Sequence, residues 1–95
     1  MEVQYMYKGN TIMLRMKERA GRKLHDERVK ADITQREVAR IIGINASAVS
    51  KLEGGKEHLS LYTLLKICWF FGMTLDDLYD IDEFTEMYEE MGVRK

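Results

Sequence analysis

Two histidines, one cysteine and sixteen carboxylates are the groups in this chain that could serve as general acids, nucleophiles or metal ligands. Their placement does not assemble such a site. His25 and His58 stand far apart in sequence, and Cys68 falls on an apolar helical face, where a thiol behaves as a small hydrophobe. Asp76-Asp77 and the later acids suit caps and surface charge, and no glycine-rich phosphate loop follows a strand. Catalysis is therefore not expected, and neither is a metal or cofactor. Charge is more informative. The formal net charge is −1, but residues 8–56 carry 12 Lys/Arg against 6 Asp/Glu, while residues 57–95 carry 3 against 9. A basic front half suits a polyanion, because the local field matters more than the total. The same excess also suits a merely solvated surface.

The chain has 95 residues, 45% hydrophobic and without proline, which bounds it to one helix-rich domain with a small core. Its longest apolar run, Ile67-Cys68-Trp69-Phe70-Phe71, is too short to cross a bilayer, so no membrane partner is expected. The opening Met1-Glu2-Val3-Gln4 lacks a basic n-region, and a single cysteine forms no internal disulfide; both point to a cytoplasmic protein.

The first sixteen residues alternate. Val3, Tyr5 and Tyr7 fall on one face, Ile12, Leu14 and Met16 repeat the period, and Gly9-Asn10 between them suits a two-residue turn. This predicts a β-hairpin with strands near 3–8 and 11–16; the competing reading is a helix capped by Asn10 that runs on into the next segment. A helix is expected over 18–31, with Ala20, Leu24, Ala31 and the Arg28 stem inward and Gly21 in its first turn, where glycine is cheaper. Thr34 and Glu37 form a capping box for a second helix over 35–42, with Val38, Ala39 and Ile42 inward. Asn45 caps a third helix over 46–53, Ser60 a fourth over 61–71, and Thr74 a short fifth through Tyr79. Phe84, Met87, Tyr88 and Met91 make a stripe on a last helix, 83–91, too short to stand without docking. The expected organisation is all-α: a hairpin extension over 1–17, a five-helix domain over 18–80, and an acidic helix and tail over 81–95.

Gln35 to Glu53 is the stretch whose spacing carries function. Ala39 lies where two helices would cross, Gly43 makes the turn four residues later, and Val49 and Leu52 pin the second helix onto the first. Close crossing needs a residue no larger than alanine, and the turn needs one without a Cβ. An inner apolar face then frees the outer face for a major groove, which is the arrangement of a DNA-binding helix-turn-helix. Thr34-Gln35-Arg36-Glu37-Val38-Ala39, Gly43-Ile44-Asn45 and Val49-Ser50-Lys51-Leu52-Glu53-Gly54-Gly55-Lys56 resemble the phage repressor/Cro (XRE) family of regulators. Ser60-Leu61 through Lys66, and Thr74-Leu75-Asp76-Asp77-Leu78, resemble that family's fourth and fifth helices, so the likeness covers about residues 20–80.

The resemblance implies double-stranded DNA as partner, with the helix over 46–53 in the major groove. It implies that Gln35 meets a phosphate from the second helix, with Arg36 a lesser candidate, and that Ala46, Ser47, Ser50 and Lys51 face bases. Ala46 would touch a thymine methyl, Lys51 would donate to guanine O6/N7, and Ser47 would donate or accept. Lys56 would meet phosphate; Asn45 is a cap first and a phosphate contact second. Plain surface roles compete for Ser47 and Ser50, and a phosphate role competes for Lys51. The resemblance also implies an ion pair between Arg28 and Glu53 that orients the recognition helix. Departures from the family pattern are Glu27 where leucine is usual, Glu57 and Leu59 in the loop after the recognition helix, and the large Trp69 and Phe70.

Tyr62, Leu65 and Trp69 form a stripe beyond the core face of the fourth helix. They, the hairpin and the last helix either bury one another or build a homodimer interface in which Tyr62, Trp69, Phe84 and Tyr88 take part. The expected function is a dimeric repressor on a palindromic operator. The alternatives are an antitoxin whose tail or hairpin holds a toxin, and an interaction module that kept the fold without DNA binding.

Overall fold

The computed structural model describes the backbone of residues 2–92 and the side chains of residues 11–92. Six helices follow one another among the described residues: α1 (Glu2–Lys30), α2 (Gln35–Ile42), α3 (Ala46–Glu53), α4 (Leu61–Phe71), α5 (Leu75–Tyr79) and α6 (Ile81–Glu90).

The hairpin is corrected by a single 29-residue helix, α1, which runs through Gly9-Asn10 without a break. At about 1.5 Å per residue it is roughly 43 Å long, and the molecule's longest dimension is 45 Å. The physical reason is a competing period. Ile12, Met16, Ala20 and Leu24 recur every four residues, and Ile12, Ala20 and Leu24 are buried on that stripe. Leu14, which alternation would have put beside Ile12 and Met16, is exposed. Val3, Tyr5 and Tyr7 lie in the part of α1 whose side chains fall outside the described residues. The longer helix also moves Gly21 from a first turn to mid-helix. There it is buried against the end of α3, and a Cβ would fall on the Leu52 carbonyl oxygen and 2.8 Å from that of Glu53. Ala31, expected inward, is exposed beyond the end of α1.

α2 begins with the capping box: Thr34 Oγ1 accepts from the Glu37 N–H at 3.1 Å, and Glu37 Oε1 accepts from the Thr34 N–H at 3.0 Å. It ends at Gly43, whose φ of 84° needs a residue without a Cβ. Gly43 and Ile44 both donate their N–H to the Ala39 carbonyl, which closes the turn. Lys66 Nζ of α4 caps the same helix end by donating to the Ile42 carbonyl at 2.7 Å. Asn45 caps α3, Ser60 caps α4 and Thr74 caps α5. Leu24, Val38, Ala39, Ile42, Val49, Leu52 and Ile67 form the main core, which clamps α3 between α1 and α2. A second cluster of Ala20, Leu64, Cys68 and Leu78 sets α4 and α5 against α1.

α6 docks on α1 and α5. Met91 is buried, Phe84 and Met87 are half-buried, and Tyr88 is largely exposed, stacked on Phe84 at 5.5 Å. Arg19 of α1 pairs with Asp80 at 3.5 Å and Glu83 at 3.6 Å. The α4 stripe takes no part in this packing: Leu61, Tyr62, Leu65 and Trp69 all stand exposed. No helix among the described residues is long and apolar enough to cross a membrane.

Candidate nucleic-acid interface

α3 owes its stance to which of its residues are apolar. Val49 and Leu52 are fully buried, so the helical period turns Ser47, Ser50 and Lys51 outward, and all three are exposed. Ala46 is half-buried against the core, so only part of its methyl faces out. Asn45 Oδ1 accepts from the Ala48 N–H and from Ser47 Oγ, each at 2.8 Å. That use leaves the Asn45 side-chain amide free to donate outward and the Ser47 hydroxyl oxygen free to accept. Lys51 lies 3.9 Å from Glu57 Oε1, so the acid in the following loop partly offsets that cation. Lys56 is exposed just past the helix, its N–H bonded to the Lys51 carbonyl.

The N-terminus of α2 supplies the second part of the surface. Its first-turn N–H groups have no carbonyl partner within the helix and carry the positive end of the dipole. Gln35 and Arg36 stand at this end, Arg36 exposed. A groove of about 490 Å³ opens beside them, lined by Arg28, Asp32, Ile33, Thr34, Gln35 and Arg36 among others.

Glu53 joins the two parts. Its side chain is only 5% exposed and accepts four hydrogen bonds. Arg28 donates from Nε to Oε2 at 2.6 Å and from Nη2 to Oε1 at 3.0 Å. Gln35 Nε2 donates to Oε1 at 3.1 Å, and His25 Nδ1 lies 2.9 Å from the same oxygen. Burial pushes the Glu53 carboxyl up, but the bonds from Arg28, His25 and Gln35 outweigh it and hold the group below its ordinary value. The Arg28 guanidinium is raised, chiefly by its bond to Glu53, and spends its remaining arm on the Ile33 carbonyl at 2.8 Å.

The structure thus brings Arg28 and Glu53 together, and places Gln35 on Glu53 with one amide N–H left over. Of the four residues considered together for a dimer, Tyr62 and Trp69 lie on α4, whereas Phe84 and Tyr88 lie on α6, which packs on other helices. Sequence reasoning missed His25 and Gly21. His25 had a signal, since it stands three residues before Arg28 on the same helical face.

A family model described as a Cro/C1-type HTH DNA-binding domain matches residues 23–83. The chain belongs to the Cro/C1-type helix-turn-helix family. A protein of Archaeoglobus fulgidus named an uncharacterized HTH-type transcriptional regulator is 31% identical over 68 residues, which is 72% of this chain and 94% of that protein. This Cro/C1-type chain is accordingly a DNA-binding transcriptional regulator, and its partner is double-stranded DNA. The family match begins within α1 and ends within α6, so most of the α1 extension and the rest of α6 lie outside it.

Proposed function

We propose that this regulator is a cytoplasmic repressor that recognises a specific palindromic operator as a dimer, with α3 in the major groove of each half-site. The observation that carries this reading is the two-sided character of α3. Its inner residues are fully buried, and its polar outer residues are exposed with no element of the described chain packed over them. Lys51 donates to a guanine edge, Ser47 and Ser50 read neighbouring base edges, and the exposed part of the Ala46 methyl meets a thymine methyl. Phosphates flank these bases: one takes the free Gln35 amide N–H and the first turn of α2, with Arg36 nearby, and another takes Lys56. The Asn45 side-chain amide is turned to the backbone between them. Repression follows from occupancy, since a bound dimer blocks access to the duplex it covers.

In vitro selection of bound duplexes from a random pool tests the reading. A two-fold symmetric consensus with half-sites one helical turn apart, or a multiple of that, is expected. A pool that stays random after selection, with no salt-dependent retention, refutes it.

A further inference from the structure

We infer that His25 is a phosphate ligand of the DNA complex that acts only as the imidazolium, so that this regulator takes up a proton when it grips duplex and loosens as the pH rises. The inference rests on the operator-binding reading in one respect, the seating of a backbone phosphate at Gln35. Glu53 fixes which ring nitrogen is free. Its carboxylate, kept ionised at neutral pH by its partners, can only accept. His25 Nδ1, 2.9 Å from Glu53 Oε1, therefore carries a proton and donates it. Arg28 Nη2, 3.4 Å from the same nitrogen, is then a neighbouring donor and not a bond. Nε2 lies on the opposite edge of the ring, the side chain is 51% exposed, and among the described residues nothing bonds to Nε2. In the neutral ring Nε2 is an acceptor, which a phosphate oxygen repels. A second proton turns the same atom into a charged donor without disturbing the bond to Glu53.

The position suits a phosphate. Gln35 Nε2 and His25 Nδ1 lie 3.1 and 2.9 Å from one and the same oxygen, so the ring is the neighbour of the amide proposed to hold the backbone. On its other side His25 borders a cleft of about 240 Å³ with Glu18, Arg22, Glu53, Gly54 and Gly55, and Lys56 follows directly in the chain. The charged groups around the ring are Glu18, Arg22 and Arg28 of α1 and Glu53 of α3. α2 presents the uncharged Gln35, and the loop after α3 presents two glycines. A phosphate on the Nε2 side adds an anion to this set, so bound duplex favours the imidazolium more than the free protein does.

Titration of a random-sequence duplex and of a selected duplex over a pH series tests this. Between about pH 8 and about pH 5.5, within the span where histidine changes charge, parent affinity should rise about tenfold per protomer, the worth of one hydrogen bond to a charged partner. The slope of log affinity against log salt should steepen by about 0.9 per protomer, the mark of one further phosphate neutralised. His25→Gln, which keeps a donor for Glu53, should stay close to the parent's high-pH affinity throughout. His25→Lys, charged at every pH in the series, should stay close to the parent's low-pH affinity. Both should keep the parent's helical circular dichroism. His58, pushed down by burial and by Lys17, serves as control: His58→Gln should retain the parent's slope. A parent whose affinity is flat in pH overturns the inference, and so does a slope that survives His25→Gln. His25→Lys binding no tighter than His25→Gln overturns it too, and reduces His25 to a support for Glu53. A selected duplex bound with a flat profile leaves the operator reading standing. A His25-dependent slope on random duplex, with no consensus selected, leaves this contact standing and refutes the operator reading instead.

Discussion

Replacing Glu53 by alanine takes away the acceptor of three side chains at once. The Arg28 side chain, 14% exposed, would keep the Ile33 carbonyl and a long, 3.4 Å contact with His25 Nδ1, with no anion beside it. Breaking one half of a buried pair in this way should cost about 3–5 kcal/mol. Arg28→Ala should cost less, about 2 kcal/mol, because hydrogen bonds to a charged group are worth about 1.5–3 kcal/mol and Glu53 would still accept from His25 and Gln35. In the double variant no charge is stranded, and the half-exposed His25 can turn to water. Its cost should therefore fall short of the sum of the singles by about 1.5–3 kcal/mol. A domain of this size has on the order of 5–14 kcal/mol in total, so a parent in the upper half of that range keeps all three variants folded and measurable. Urea unfolding followed by circular dichroism at neutral pH gives the cycle. Single and double effects that add to within about 0.5 kcal/mol would show that the pair is not a unit and that the recognition helix is oriented by packing alone.

Further outcomes follow from the same geometry. The Glu53 carboxyl is held below its ordinary 4.5 in the folded chain. Its stabilising effect should therefore be complete above that pH and disappear as the pH falls through the lower folded-state value. Thermal melts between neutral and strongly acid pH should show this slope, and Glu53→Gln should flatten it. Gly21→Ala puts a methyl onto the Leu52 carbonyl and should cost about 1–3 kcal/mol, read as a fall in melting temperature; an unchanged melt would mean that α1 and α3 have room to part. Lys51→Ala should relax preference at one base position, whereas Gln35→Ala, which removes a phosphate donor and one bond to Glu53, should weaken every duplex and lower discrimination evenly across the half-site. Selection and titration of the two variants side by side separate these behaviours.

The bounds of α2, α3 and α4 are legible in the sequence because each has its own punctuation: Thr34 with Glu37 and Gly43, Asn45, and Ser60 with Gly72. Local chemistry settles such helices before tertiary contacts matter. The N-terminal segment carries a misleading stop instead, Gly9-Asn10, through which α1 runs unbroken. Ile12, Leu14 and Met16 satisfy a period of two, while Ile12, Met16, Ala20 and Leu24 satisfy a period of four, and the second stripe is the one with partners: Leu24 lies in the main core, Ala20 in the second cluster, and α5 and α6 pack along α1. A helix decided by what it docks against cannot be told from its own letters. Gly21 illustrates the same limit, because its reason is the backbone of α3 more than thirty residues away in the sequence. In the site, the residue types of α3 reveal the outward face, but not that Gln35 and His25 converge on Glu53, since that junction needs three helices in place.

The convergence has a consequence for how the regulator reads DNA. Glu53 closes α3, Gln35 opens α2, and Arg28 belongs to α1, so a single carboxylate fixes the distance between the helix proposed to face bases and the helix end proposed to face phosphate. Register between base and phosphate contacts is what turns a set of weak donors into sequence discrimination, because a phosphate clamp that slides lets each base donor find a wrong edge. Gly21 serves the same register from below by letting α1 lie directly on the Leu52 and Glu53 carbonyls. Disturbing the junction while leaving α3's outer side chains untouched, as in Glu53→Gln, should therefore lower the ratio of specific to non-specific affinity more than it lowers non-specific affinity itself. Competition titrations against random duplex measure that ratio; an equal loss on both kinds of duplex would mean the junction contributes only to folding.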